Sequence, residues 1–222
     1  MTDAGRGRRD WDWALLAGAV VLLLQGYHLG GGDQDEYYPL VRRALDPAYL
    51  PGDYYLNSAF ALSPRLFLIK ALALASGPLT IPGAFLAFYL ASLTLLVLAI
   101  YFLAREIFPS RAAAFVAVFL ATLGPRYNIN SQDFLSGWLT NQGASLPCGL
   151  LCYLFLLRGK IVPAVLSAGL ATYAHPQLAV GMVALTFPWL ALERRWRDAG
   201  WFLAGWLILA APVGWSSLDL LQ

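Results

Sequence analysis

The amino-acid sequence predicts an all-α, polytopic membrane protein, with about seven membrane-spanning helices and one helix along the outer interface, in a single membrane domain over residues 1–222. Three observations carry this. Hydrophobic residues make up 59% of the chain, against about 45–50% in soluble globular proteins. Charged residues make up 13%, against about 25%. The apolar residues also gather in runs near the length that a bilayer core of about 30 Å demands, about 20 residues per helix, with the charges between them. A mean hydropathy of +0.60 excludes a disordered chain and a soluble nucleic-acid binder. The two cysteines, Cys148 and Cys152, lie four apart in an apolar run. They read as packing residues on one helix face, and a disulfide scaffold or a cysteine-rich metal site is excluded.

The first span is expected at 11–29. It follows the basic Arg6, Arg8 and Arg9 and runs into Gln25-Gly26-Tyr27-His28 with no small-x-small cleavage pattern, so it reads as an uncleaved anchor. Residues 30–82 form the first outer loop. Within it, the apolar segment 62–76 contains Arg65 and Lys70. A buried, unpaired cation at a helix centre costs roughly 2.5–3.5 kcal/mol, so two of them mark this segment as interfacial.

Further spans are expected at 81–103, 112–123, 144–157, 161–173, 176–192 and 199–215, several with internal Pro or Gly such as Pro163, Gly169, Pro188 and Pro212. The stretch 161–192 divides at His175-Pro176, because the residue before a proline is biased away from helix. With the interfacial segment not crossing, Arg6, Arg8, Arg9, Arg105, Arg111, Arg158, Lys160, Arg194, Arg195 and Arg197 are cytoplasmic, and Arg42, Arg43, Arg65, Lys70 and Arg126 are outside. That ten-to-five split obeys the positive-inside rule. The N-terminus is then cytoplasmic, in a cell membrane of bacterial inner-membrane type. A second outer loop, 124–143, carries Asn128, Asn130, Asn141 and Gln142, which read as ordinary loop residues with the alternative of lining a polar pocket.

The outer face carries the polar chemistry. Asp33-Gln34-Asp35-Glu36-Tyr37-Tyr38 follows the first span directly, and three carboxylates in four residues repel one another. Such a cluster binds a cation, finds arginine partners or holds a raised pKa. The plainer alternative is a solvated loop start in which Asp35 caps a helix beginning near Tyr37. Asp33 and Asp35, two apart, share one side if extended, as a pair of metal ligands would; a divalent cation there is the one cofactor the motif allows.

An acidic pair after the first span, Asp35-Glu36, followed by aromatics and a short helix with Arg42-Arg43, resembles the first outer loop of the GT-C glycosyltransferases. These multi-pass enzymes include protein O-mannosyltransferases and lipid A aminoarabinose transferases. The run Leu45-Asp46-Pro47-Ala48-Tyr49-Leu50-Pro51-Gly52-Asp53-Tyr54 and the later His175-Pro176 are more similar to uncharacterised bacterial members of that superfamily. The resemblance covers most of the chain by architecture and only this short stretch by motif. It implies an inverting transfer of a sugar from a polyprenyl-phosphate donor to an acceptor at the outer face. Asp35 is then the catalytic base, and Glu36 positions the acceptor or holds a cation.

The leaving phosphate needs positive charge at the surface, and Arg126, His175, Arg65 and Lys70 are the candidates. Arg126 has the alternative of snorkelling to headgroups, and His175 that of a structural hydrogen bond. The resemblance further implies that complete members continue into more spans, so the alternatives for this chain are an inactive truncated fragment, a module lacking a C-terminal region with the acceptor or lipid-tail site, and a minimal member that works with a partner subunit. The competing class is a non-enzymatic membrane protein, either a lipid-linked-sugar flippase or a structural subunit of an envelope assembly. A transporter would place ionisable groups near the middle of its spans, and these runs keep theirs at the ends.

Overall fold

The computed structural model describes residues 3–62, 66–123 and 136–218. Among these residues there are nine helices and no strand: α1 (Asp3–Gln25), α2 (Gln34–Leu45), α3 (Tyr54–Leu62), α4 (Leu66–Ile107), α5 (Arg111–Leu123), α6 (Asn141–Leu157), α7 (Ile161–Ala174), α8 (Pro176–Leu192) and α9 (Trp196–Leu218). A helix stands at each of the seven expected spans. By length and composition, however, α4 is the one described helix able to cross a membrane. The physical reason is mostly length. The apolar helices α5 to α8 have 13, 17, 14 and 17 residues, roughly 20–26 Å at 1.5 Å per residue, short of the 30 Å or so of a hydrocarbon core. α1 and α9 have 23 residues each, but their first turns are charged.

α4 is two arms joined at Thr80, whose φ of 64° and ψ of 163° lie outside the helical region. Pro78 and Pro82 flank the break and remove backbone donors. The Thr80 hydroxyl accepts from the Gly83 amide at 3.4 Å, as an N-cap does for the helix it precedes. The first arm, residues 66–79, is therefore a helix in its own right, and it extends past the expected end at Ser76. It buries Leu68, Ile69, Leu72, Ala73 and Ser76, spaced by three and four, and leaves Lys70 and Leu74 exposed.

The second arm, residues 81–107, is the centre of the bundle. Phe85, Tyr89, Leu96 and Tyr101 are buried there, in a core shared with Ala17 and Val21 of α1, Ala114 and Val118 of α5, and Leu139 just before α6. A second core joins α6 to α9 through Cys152, Leu156, Ala168, Ala171, Ala179 and Phe202. Small residues let α7 and α9 approach closely: a Cβ on Gly169 would lie 2.7 Å from Leu209, and one on Gly205 2.8 Å from Val165. Polar side chains stitch the same helices. Ser145 donates to the Ala171 carbonyl at 2.9 Å, and the Trp206 indole donates to Thr172 at 2.9 Å.

Charge is sorted by end. At one end Asp10 of α1 pairs with Arg105 of α4 at 3.2 Å and Arg111 of α5 at 2.6 Å. Glu106 pairs with Arg158 after α6 at 2.7 Å, and Arg195 with Asp198 at the start of α9 at 2.8 Å. The C-terminal ends of α4 and α6 thus meet the N-terminal ends of α1 and α5. At the other end the chain leaving α1 meets the middle of α4, where the Tyr89 hydroxyl donates to the Gly26 carbonyl at 2.6 Å.

Candidate functional site

The acidic motif is positioned by the turn that precedes it. Gly26, Gly30 and Gly32 take positive φ, at 67°, 76° and 52°, so the chain reverses immediately after α1. Gly31 and Gly32 lie flat against the Trp138 indole: a Cβ on Gly32 would sit 2.6 Å from its Nε1. The His28 amide donates to the Gly137 carbonyl at 2.7 Å. Gln34 then folds back, its Oε1 accepting from the Gly30 amide at 2.9 Å. The loop is thereby fixed to the segment leading into α6.

α2 starts at Gln34, with Asp33 at the N-cap position and no side-chain cap. This corrects the expectation of a helix capped by Asp35 near Tyr37: Asp35 and Glu36 are instead in the first turn. There the helix dipole favours negative charge, and Arg42 and Arg43 complement it in the last turn. Pro39 lacks the amide that would bond the Asp35 carbonyl. Asp33 is committed, its Oδ2 accepting from the Tyr37 hydroxyl at 3.1 Å. Asp35 is exposed, and among the described residues its carboxylate has no hydrogen bond or ion pair. Glu36 is exposed beside it.

A polar floor lies in the same turn. Gln34 is 1% exposed, and among the described residues neither its Nε2 nor the hydroxyl of neighbouring Tyr27 has a hydrogen-bond partner within bonding geometry. The Tyr27 ring packs on Tyr89 with centroids 5.0 Å apart. On the Trp138 side, Asn141 opens α6 as a buried residue whose Oδ1 is also unpartnered among the described residues, with Gln142 half-buried after it. Thr140 caps that helix by accepting from the Gly143 amide at 2.8 Å.

The remaining candidates separate. Arg42 stacks over Tyr49 at 4.9 Å, and Arg43 donates to the Tyr49 carbonyl at 2.5 Å and to Asn57 at 3.1 Å, so this pair clamps the loop 46–57. Asp46 and Asp53 terminate turns, accepting from the Ala48 and Leu56 amides at 2.9 and 2.8 Å. His175 caps α8, with Nδ1 accepting from the Leu178 amide at 3.2 Å, which is the structural alternative for that nitrogen. It stands next but one to Tyr173, whose ring meets Phe67 of the first arm of α4 edge-on at 4.9 Å. Lys70 is on the exposed side of that arm. Arg65, Arg126, Asn128 and Asn130 lie outside the described residues. No three His, Cys, Asp or Glu side chains gather as a metal site among the described residues, so a divalent cation here would rest on Asp33 and Asp35 alone.

No family model matches the chain, and neither a curated protein nor a solved structure is significantly similar to it.

Sequence reasoning passed over Tyr27, Gln34, Tyr89 and Trp138. The run Gly30-Gly31-Gly32 was the available signal, since consecutive glycines mark a backbone approached closely by something large. The turn thus holds buried polar groups and, on the exposed side of the α2 start, a carboxylate, that of Asp35, with no partner among the described residues.

Proposed function

We propose that this chain is a multi-pass membrane protein of the GT-C glycosyltransferase type, transferring a sugar from a polyprenyl-phosphate donor at the outer face. The membrane part of the reading is supported by the outward side chains of nearly every helix. Leu23, Leu74, Leu120, Val162, Leu185, Leu192 and Ile208, spread over five helices and the first arm of α4, are each more than 70% exposed, as side chains facing lipid would be. Short helices are accommodated by local thinning of the bilayer. Basic residues at the ion-paired end face the cytoplasm, and the first arm of α4 lies in the outer leaflet.

The observation that carries the catalytic part is the Asp35 carboxylate on the first turn of α2, without a partner among the described residues, at the end of α1 opposite the ion pairs. In the reaction the acceptor oxygen attacks the anomeric carbon as the bond to the donor phosphate breaks. Asp35 takes the hydroxyl proton, and polyprenyl phosphate leaves with the bonding pair. Glu36 orients the acceptor. Lys70 on the α4 arm, with Arg65 and Arg126, meets the leaving phosphate.

The test is donor turnover by protein reconstituted in vesicles with a panel of polyprenyl-phosphate sugars. Asp35→Asn lowers turnover by about 10²- to 10⁴-fold, the usual contribution of a general base. Glu36→Gln costs less, and Asp46→Asn and Asp53→Asn cost least. An active preparation that keeps its turnover with Asp35→Asn refutes the assignment and moves it to Asp33.

A further inference from the structure

At the ion-paired end, α7 and α9 line an open groove of about 590 Å³. Its walls are Ile161, Val162, Val165 and Leu166 on α7 and Trp201, Ile208 and Leu209 on α9, with Gly205 in its lining and Arg197 and Asp198 at one end. Val162 is 71% and Trp201 64% exposed, so the slot opens outward from the bundle. It is the size of an ordinary ligand pocket, but nearly all its lining is apolar.

The charged end is not neutral. Asp198 is engaged by Arg195, whose Nε and Nη2 reach its Oδ2 at 2.9 and 2.8 Å. Arg197 is exposed and makes no ion pair among the described residues. Lys160, exposed one residue before the α7 wall begins, adds a second cation. Both helices start at this end, so their positive dipole ends point the same way. An apolar groove between two helices, with cations at its charged end that make no ion pair among the described residues, is complementary to one class of molecule. That class has a hydrocarbon tail and an anionic head, and basic pockets between membrane helices hold such headgroups.

We infer that the α7–α9 groove binds an anionic phospholipid of the cytoplasmic leaflet, its acyl chain against Val162, Leu166, Trp201 and Ile208 and its phosphodiester at Arg197. The inference rests on the membrane reading above and is independent of the catalytic one.

The groove contains one of the chain's eight tryptophans, so the difference between the protein and its Trp201→Phe variant isolates a reporter inside it. In vesicles containing tail-brominated phosphatidylglycerol or tail-brominated phosphatidylcholine, Trp201 emission should be quenched by both. The anionic lipid should compete for the site about fivefold better, the worth of one cation near a surface. Arg197→Gln should reduce that preference towards one while leaving quenching by phosphatidylcholine, and Arg197→Lys should largely restore it. Equal quenching by the two lipids, or a preference that survives Arg197→Gln, overturns the site. A protein that does not float with vesicles at all overturns the membrane reading instead, and the lipid site with it.

Discussion

Replacing Gly32 with alanine tests whether the acidic motif is held by the contact of the glycine run with Trp138. Two costs add at this position. The backbone φ of 52° is left-handed, which costs an L-residue with a Cβ about 1–2 kcal/mol. The new methyl would also stand 2.6, 2.8 and 3.1 Å from three atoms of one rigid indole. The ring has to move as a body, and overpacking of that kind costs typically another 1–3 kcal/mol.

Two other glycines separate the terms. Gly26 has φ of 67° with nothing within 4 Å of its missing Cβ, so Gly26→Ala carries the backbone cost alone. Gly52 has neither a left-handed φ nor a neighbour within 4 Å, and Gly52→Ala should be neutral or slightly stabilising. The expected order of destabilisation is Gly32 above Gly26 above Gly52, with gaps of about 1 kcal/mol or more. Unfolding of detergent-solubilised protein by titrated dodecyl sulfate reads the stabilities. Iodide quenching, compared with and without Trp138→Phe, reads whether the loop has left the indole. If Gly32→Ala and Gly26→Ala are equally costly and Trp138 stays equally shielded, the packing argument is wrong.

Two further perturbations address the ends of the bundle. Asp10→Asn removes the shared partner of Arg105 and Arg111 at a site where the carboxylate is only 16% exposed. It should cost about 1–3 kcal/mol in the same unfolding assay, whereas Glu106→Gln, whose pair with Arg158 is about a third exposed, should cost under about 1 kcal/mol. Equal losses would mean that Asp10 is not the anchor of that end. Single cysteines at the exposed positions Ala48 and Ser110, in a background lacking Cys148 and Cys152, should show Ala48→Cys labelled and Ser110→Cys protected in intact cells. The reverse pattern inverts the proposed orientation.

The helices themselves were legible in the sequence, because an apolar run interrupted by charge, Gly or Pro is a local signal. His175-Pro176 divided α7 from α8 as expected, and Thr80-Ile81-Pro82-Gly83 contained the capping pattern that breaks α4. The composition also determined that polar groups would be sorted to the helix ends. What the sequence could not supply was which distant residues meet. Trp138 reaches Gly31 and Gly32 across more than a hundred residues, and Asp10 finds two arginines in different helices.

Site roles divide along the same line. Adjacent residues with similar side chains look alike in one dimension, and only packing shows that Asp33 is bound by Tyr37, that Arg43 is spent on the Tyr49 loop, that His175 caps a helix and that Asp35 has no partner among the described residues. The sequence by itself determined an all-helical, strongly apolar chain with an acidic motif after its first helix, since those properties follow from residue type and local spacing. The tertiary structure decided which of the acids remains available, because a hydrogen bond depends on distances in space that no spacing along the chain encodes.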